Sequence, residues 1–170
     1  MSKVVLVYRL ESKACNRESY DELFNALTYF KEIQDSLELD FSDNYIPDSY
    51  MENLSSFLTS HKSISNLSLN LRGNAITDGG IKKLCEGIQK LSNLKHLNVL
   101  LDYNYWLTDI SVQYIGKSVS SIKGMVQLNL SIQDKTYVTE AGKELLKNSV
   151  KDNSTLSKVI LNRKDIFAYI

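Results

Sequence analysis

The segment Ile64 to Ile76 reads Ile-Ser-Asn-Leu-Ser-Leu-Asn-Leu-Arg-Gly-Asn-Ala-Ile, and its spacing of apolar residues and asparagine returns along the chain every 30 or 31 residues. A fixed period of that size constrains the fold more than any other property here, because it marks one supersecondary unit stacked on copies of itself. With Leu67 as anchor, the equivalent positions are Leu6, Leu37, Leu97, Leu128 and Val159. A second apolar anchor, Leu23, Leu54, Leu84, Ile115 and Leu145, follows 17 or 18 residues after each of the first five.

Each period contains two kinds of apolar spacing. Leu67, Leu69 and Leu71 alternate with Ser68, Asn70 and Arg72, which buries one face of an extended segment and wets the other. Further on, Ile81, Leu84, Ile88 and Leu91 recur at helical spacing. A unit with one apolar strand face and one apolar helix stripe cannot cover itself, and stacking such units closes the core between them. The expected fold is therefore α/β: a curved parallel sheet of about six strands, starting near residues 4, 36, 66, 96, 127 and 158, backed by about five helices. The helices are predicted over 19–33, 49–60, 78–90, 109–121 and 139–149, within one domain of residues 1–170 whose last repeat is incomplete. Asn44, Asn74 and Asn104 stand where the strand must turn, placed to satisfy backbone groups that the turn leaves unpaired. Thr77-Asp78, Thr108-Asp109 and Thr139-Glu140 read as helix starts, with a hydroxyl or carboxylate for the first free amides. The once-per-repeat Asp78, Asp109 and Glu140 read as caps, not as a paired-carboxylate site.

Asn74-Ala75-Ile76-Thr77-Asp78-Gly79-Gly80, followed by Leu84 and Ile88, resembles a leucine-rich repeat of the ribonuclease-inhibitor-like class, and the resemblance runs from Leu6 to Ile166. The strand, with three alternating apolar residues before the asparagine, is similar to repeats of large protist families, those of ciliates especially. Three departures stand out. Lys135 and Lys164 replace the asparagine in the last two repeats, the third and fourth repeats carry one extra turn residue, and Arg163 occupies an expected apolar position.

Composition narrows the function. Basic and acidic residues balance at 20 each, so general attraction to nucleic acid or an anionic membrane is not expected. No apolar run approaches the ~20 residues that span a bilayer, and Met1 to Arg9 lacks a secretory apolar region. Cys15 and Cys85 lie in different repeats with no motif around them, which fits a reducing compartment. An intracellular location follows as an expectation, cytoplasm or cilium before mitochondrion, and not secretion. His61 and His96 show no ligand spacing to either cysteine or to a carboxylate cluster. Cys85, beside core Leu84, reads as a small buried hydrophobe. No phosphate-cradling glycine loop or nucleophile elbow appears, so no cofactor, metal or enzymatic turnover is expected.

Three surfaces remain for binding. On the concave sheet face, outward positions align in columns whose center holds Asn70, Asn98, Leu100 and Asn129, with Arg72 in the next column. This face is either a solvated sheet or a site that hydrogen-bonds an extended chain or a helix. Along one rim stand Tyr45, Tyr105, Trp106 and Tyr137, with Tyr103 close by, and tyrosine and tryptophan are enriched at binding hot spots. For Trp106 alone, packing over its enlarged turn is the favored reading. The third surface is the C-terminal end, where Ile166, Phe167, Tyr169 and Ile170 either fold back as a cap or are covered by another chain. At the opposite end Val4 to Val7 is apolar on both faces, a hazard for a terminal strand unless covered.

The preferred expectation is a non-catalytic protein–protein interaction scaffold, a small accessory subunit of a multi-protein assembly. The resemblance points to a ciliary axoneme or a mitochondrial complex as its setting. The alternative is a reversible substrate-recognition or regulatory module of the ubiquitin-ligase or enzyme-inhibitor type, which an adaptor segment before Leu6 would support; residues 1–5 hold none.

Overall fold

The structure is a computed structural model describing residues 3–7, 17–27, 29, 33, 35–133, 136–162 and 164–168. Strands and helices alternate along the chain: β1 Lys3–Val7, α1 Arg17–Leu27, β2 Ser36–Asp40, α2 Met51–Ser60, β3 Asn66–Asn70, α3 Asp78–Ile88, β4 His96–Leu100, α4 Asp109–Ser120, β5 Gln127–Ser131, α5 Glu140–Val150, β6 Lys158–Leu161 and β7 Lys164–Ala168. A short 3₁₀ turn, Asp48–Tyr50, leads into α2.

Strand order equals chain order, and the first six strands are parallel. Register follows the repeat without slippage: Leu37, Leu67, Leu97, Leu128 and Val159 stand side by side, as do Leu39, Leu69, Val99, Leu130 and Leu161. Both rows are buried against the helices, whose inward residues include Leu54, Leu84, Ile115 and Leu146. One continuous apolar cluster results, each large side chain in it worth roughly 1.5 to 3 kcal/mol of transfer free energy.

Three features differ from expectation. Helix α1 ends at Leu27, well before residue 33. In α5 the residue driven into the core is Leu146, while Leu145 is only half-buried; the longer turns belong to the fourth and fifth repeats, 101–108 and 132–139 against 71–77 in the third, and the one before α5 moves the helix anchor one place along. The side chain of Leu23 lies outside the described residues, and its neighbor Phe24 is buried. The third difference is a seventh strand, although a tail that folds back as a cap was one of the two courses expected for the C-terminal end. Lys164–Ala168 turns back and pairs antiparallel with β6, so that Phe167 stands opposite Val159, and Ile166 packs on the core. The sixth repeat's edge is thereby covered by the chain's own tail, with backbone hydrogen bonds as the means. Tyr169, Ile170, Arg163, Lys135 and Cys15 lie outside the described residues.

Beyond the strands, each repeat is tied to the next on both sides of the turn. Asn74 and Asn104 are buried. The Asn74 side-chain oxygen accepts from the amides of Asn44 and Ile46 at 3.3 and 2.9 Å, and its Nδ2 donates to the carbonyls of Phe41 and Leu71, both at 2.9 Å. Asn104 repeats the arrangement, accepting from Ile76 N and donating to Leu71 and Leu101. At the helix starts the threonines cap their own helices: Thr77, Thr108 and Thr139 accept from the amides of Gly79, Ile110 and Ala141. The aspartates reach across to the following repeat instead. Asp48 accepts from the amide and hydroxyl of Thr77, Asp78 from those of Thr108, and Asp109 from those of Thr139, at 2.5 to 3.0 Å. Close approach is what makes this possible. Asp48 Oδ1 and Asp109 Oδ1 occupy the space that a Cβ on Gly80 or Gly142 would need, and at the equivalent place Ser111 donates its hydroxyl to Asp78.

Leu69→Ala, Leu84→Ala and Leu146→Ala are each expected to cost about 2 to 5 kcal/mol in denaturant unfolding, as for other buried leucines. Leu145→Ala should cost clearly less than Leu146→Ala, and equal losses would contradict the helix phase described here.

Candidate interaction surface

The residues with chemistry of their own are occupied structurally. His61 is buried against the Phe57 ring, centroids 4.4 Å apart, with Nδ1 at 2.8 Å from the Phe57 carbonyl oxygen. His96 is exposed and pairs through Nδ1 with Asn66 Oδ1 at 2.8 Å. Cys85 is a free, buried thiol; desolvation by burial pushes its pKa from 9.0 to about 12, outweighing the hydrogen bonding of Ser118. Among the described residues no group of three or more His, Cys, Asp or Glu side chains is placed to hold a metal ion.

On the concave face the amides have found one another. Asn98 Nδ2 donates to Ser68 Oγ at 2.9 Å, and Asn129 Nδ2 to Asn98 Oδ1 at 2.7 Å. Asn70 Oδ1 accepts from the Arg72 amide at 3.4 Å, and Leu100 is half-buried. The equal strand spacing of ~4.8 Å is what brings neighbors in one column within hydrogen-bond reach. A shallow groove of ≈ 360 Å³ crosses this face, lined by Glu38, Ser68, His96, Asn98, Gln127 and Asn129.

Where the sheet meets the turns, a buried carboxylate organizes the surface. Asp102 accepts from Ser131 Oγ at 2.8 and 2.9 Å and from the Gln133 amide at 2.9 Å, and pairs with Arg72 Nε at 3.4 Å. Arg72 in turn holds its guanidinium carbon 5.9 Å from the center of the Tyr103 ring, within cation–π reach. Arg72 and Asp102 are neighbors in one outward column, so opposite charges at equivalent repeat positions were the available signal for this cluster.

The aromatic rim is open. Trp106 is 63% exposed, Tyr137 64%, Tyr45 66% and Tyr105 51%. Trp106 therefore does not pack over its enlarged turn. Its backbone does the anchoring, since Thr77 with Trp106 and Thr108 with Tyr137 form single parallel bridges beyond the main sheet. Tyr45, Tyr105 and Trp106 line one depression of ≈ 490 Å³; Tyr105, Trp106 and Tyr137 line a second of ≈ 440 Å³ on its C-terminal side. Phe167 lies apart from these, on β7 at the C-terminal edge. The turn preceding the rim forces Asp43, Gly73 and Tyr103 into the left-handed region at φ of 57°, 63° and 61°, an uncommon conformation for a tyrosine.

Among known proteins, no family model matches this chain, and no curated protein sequence matches it. Among solved structures the fold is similar to leiomodin-1 actin-binding site 2, with a TM-score of 0.58 at 12% identity over 85% of this chain and 77% of that one. The likeness agrees with a curved, leucine-rich-repeat-like solenoid. No described helix is long and apolar enough to cross a membrane.

Only the thiolate alkylates, so Cys85 should resist iodoacetamide at pH 8 in the folded protein and label fully once unfolded, as read by peptide mapping. Because the folded thiol keeps its proton while the unfolded one loses it, this residue's contribution to stability should fall as pH rises from 9.0 toward 12. Rapid labeling of Cys85 in the native state would contradict the burial described.

Proposed function

We propose that this chain is a non-catalytic protein-binding module, one repeat domain serving as a small accessory subunit of a larger assembly, and that it engages its partner along the aromatic rim. The observation that carries this reading is the row Tyr45, Tyr105, Trp106 and Tyr137, four large side chains in the open while the apolar residues below them are buried. The energetics favor the rim over the concave face. Burying a large apolar side chain is worth roughly 1.5 to 3 kcal/mol. Exchanging an already bonded amide of Asn98 or Asn129 for a partner's amide gains at most about 0.5 to 1.5 kcal/mol.

The fold analogy runs the same way, since the leiomodin-1 neighbor is named for an actin-binding site; transfer of that role to this chain is analogy at fold level. Membership of the ribonuclease-inhibitor-like class, in the form seen in ciliate proteins, is part of the same proposal and rests on the Asn74 to Gly80 motif. A ciliary axoneme or a mitochondrial complex is the proposed setting on that basis. Phe167, Tyr169 and Ile170 are a second proposed contact, at the C-terminal edge. The concave residues Asn70, Arg72, Asn98, Leu100 and Asn129 are the competing site.

The test uses the native partner, identified by affinity purification and mass spectrometry. Trp106→Ala with Tyr137→Ala should weaken its binding by at least about tenfold, as expected when hot-spot aromatics are truncated, with an unchanged circular dichroism spectrum. Asn98→Ala with Asn129→Ala should leave binding within about threefold, less than 1 kcal/mol. The reverse pattern would assign the site to the concave face.

A further inference from the structure

The larger rim depression exists because the third repeat is small where its neighbors are large. Its floor is Gly73 and Ala75. At the equivalent positions the second repeat presents Asp43 and Tyr45, and the fourth presents Tyr103 and Tyr105, with Trp106 beside them. Residues two repeats apart stand about 10 Å from each other, twice the strand spacing. A side chain entering midway is therefore about 5 Å from the backbone of either wall, between residues whose rings are able to contact a cation.

Among the described residues that line this groove, Asp43 is the one that carries a charge. Asp43 Oδ1 lies in the space that a Cβ on Gly73 would fill, at the groove floor. Among the described residues its carboxylate has no ion-pair or hydrogen-bond partner. The nearby positive charge, Arg72, is already matched by buried Asp102. Arg72 also demonstrates the chemistry, since its guanidinium sits over Tyr103 at the edge of the same groove. An acidic occupant would be repelled by Asp43, and a purely apolar one would desolvate that carboxylate without pairing it. A long basic side chain does neither, because its methylenes lie along rings while its head reaches the carboxylate.

We propose that the groove between Asp43/Tyr45 and Tyr103/Tyr105/Trp106 receives a lysine or arginine side chain of the partner protein. This rests on the rim as the binding surface and adds the chemical class of what the rim takes. Trp106 is the one tryptophan of the chain, so its emission reports on the groove directly. Titration with acetylated, amidated pentapeptides Gly-Ser-X-Ser-Gly should shift Trp106 emission saturably for X = lysine or arginine, and at least about fivefold more weakly for X = norleucine. Asp43→Asn keeps the left-handed backbone, which asparagine tolerates. It should weaken the basic peptides about fivefold, the factor equivalent to about 1 kcal/mol.

Equal binding of norleucine and lysine peptides, no saturable response, or indifference to Asp43→Asn would overturn the proposal. Saturation by tetramethylammonium with no response to the peptides would also overturn it, in favor of a small quaternary cation. If the peptides fail while Trp106→Ala with Tyr137→Ala still weakens the native partner, the cation assignment falls and the rim reading stands.

Discussion

The structure depends on one constraint: every turn from strand to helix leaves backbone amides and carbonyls inside the solenoid, and a buried group without a partner costs about 1 to 3 kcal/mol. Asn74 and Asn104 remove that cost by bonding to their own turn and to the preceding one at once. A repeat is thus completed by its neighbor, and the asparagine row locks the register of the sheet. On the far side of the turn the Asp48–Thr77, Asp78–Thr108 and Asp109–Thr139 pairs perform the matching task at the helix starts. Glu140, at the equivalent position of the fifth repeat, pairs with Lys143 on its own helix.

Locked register has a consequence at the surface. Equivalent positions must line up at strand spacing, so any variation among repeats becomes relief. The concave face carries short polar residues in that grid, and they bond to each other. At the rim the grid alternates between large and small, with Gly73 and Ala75 set between tyrosines, and a groove with aromatic walls is the geometric result. Because the backbone below is held by asparagine side chains and single bridges, these rings are presented at little conformational cost, a property that favors binding.

Much of the fold was legible in the sequence because two independent periodicities coincide in each repeat. The six parallel strands begin within one residue of the positions expected from Leu6 through Val159. Less legible was anything decided by a single inserted residue or by partners far along the chain. The inward residue of α5 is Leu146 because the turn before it is longer, and spacing alone could not choose between adjacent leucines. The tail beyond Asn162 breaks the repeat, so nothing periodic announced the antiparallel β7. The aspartates look like caps in sequence, since a helix start and a reach to the next threonine share the same residue type. Among the surface residues, the aromatic row was visible as a list, but its exposure was not, and the role of Asp43 emerges only when Gly73 is seen to make room for its carboxylate.

The central claim, that the rim and not the concave sheet meets the partner, can be tested without perturbing affinity. Placing a photo-crosslinking benzoylphenylalanine at position 105, and separately at 98, in the full chain within its native complex should give a partner adduct from position 105 and none from 98. An adduct from position 98 alone would contradict the account and place the partner on the sheet.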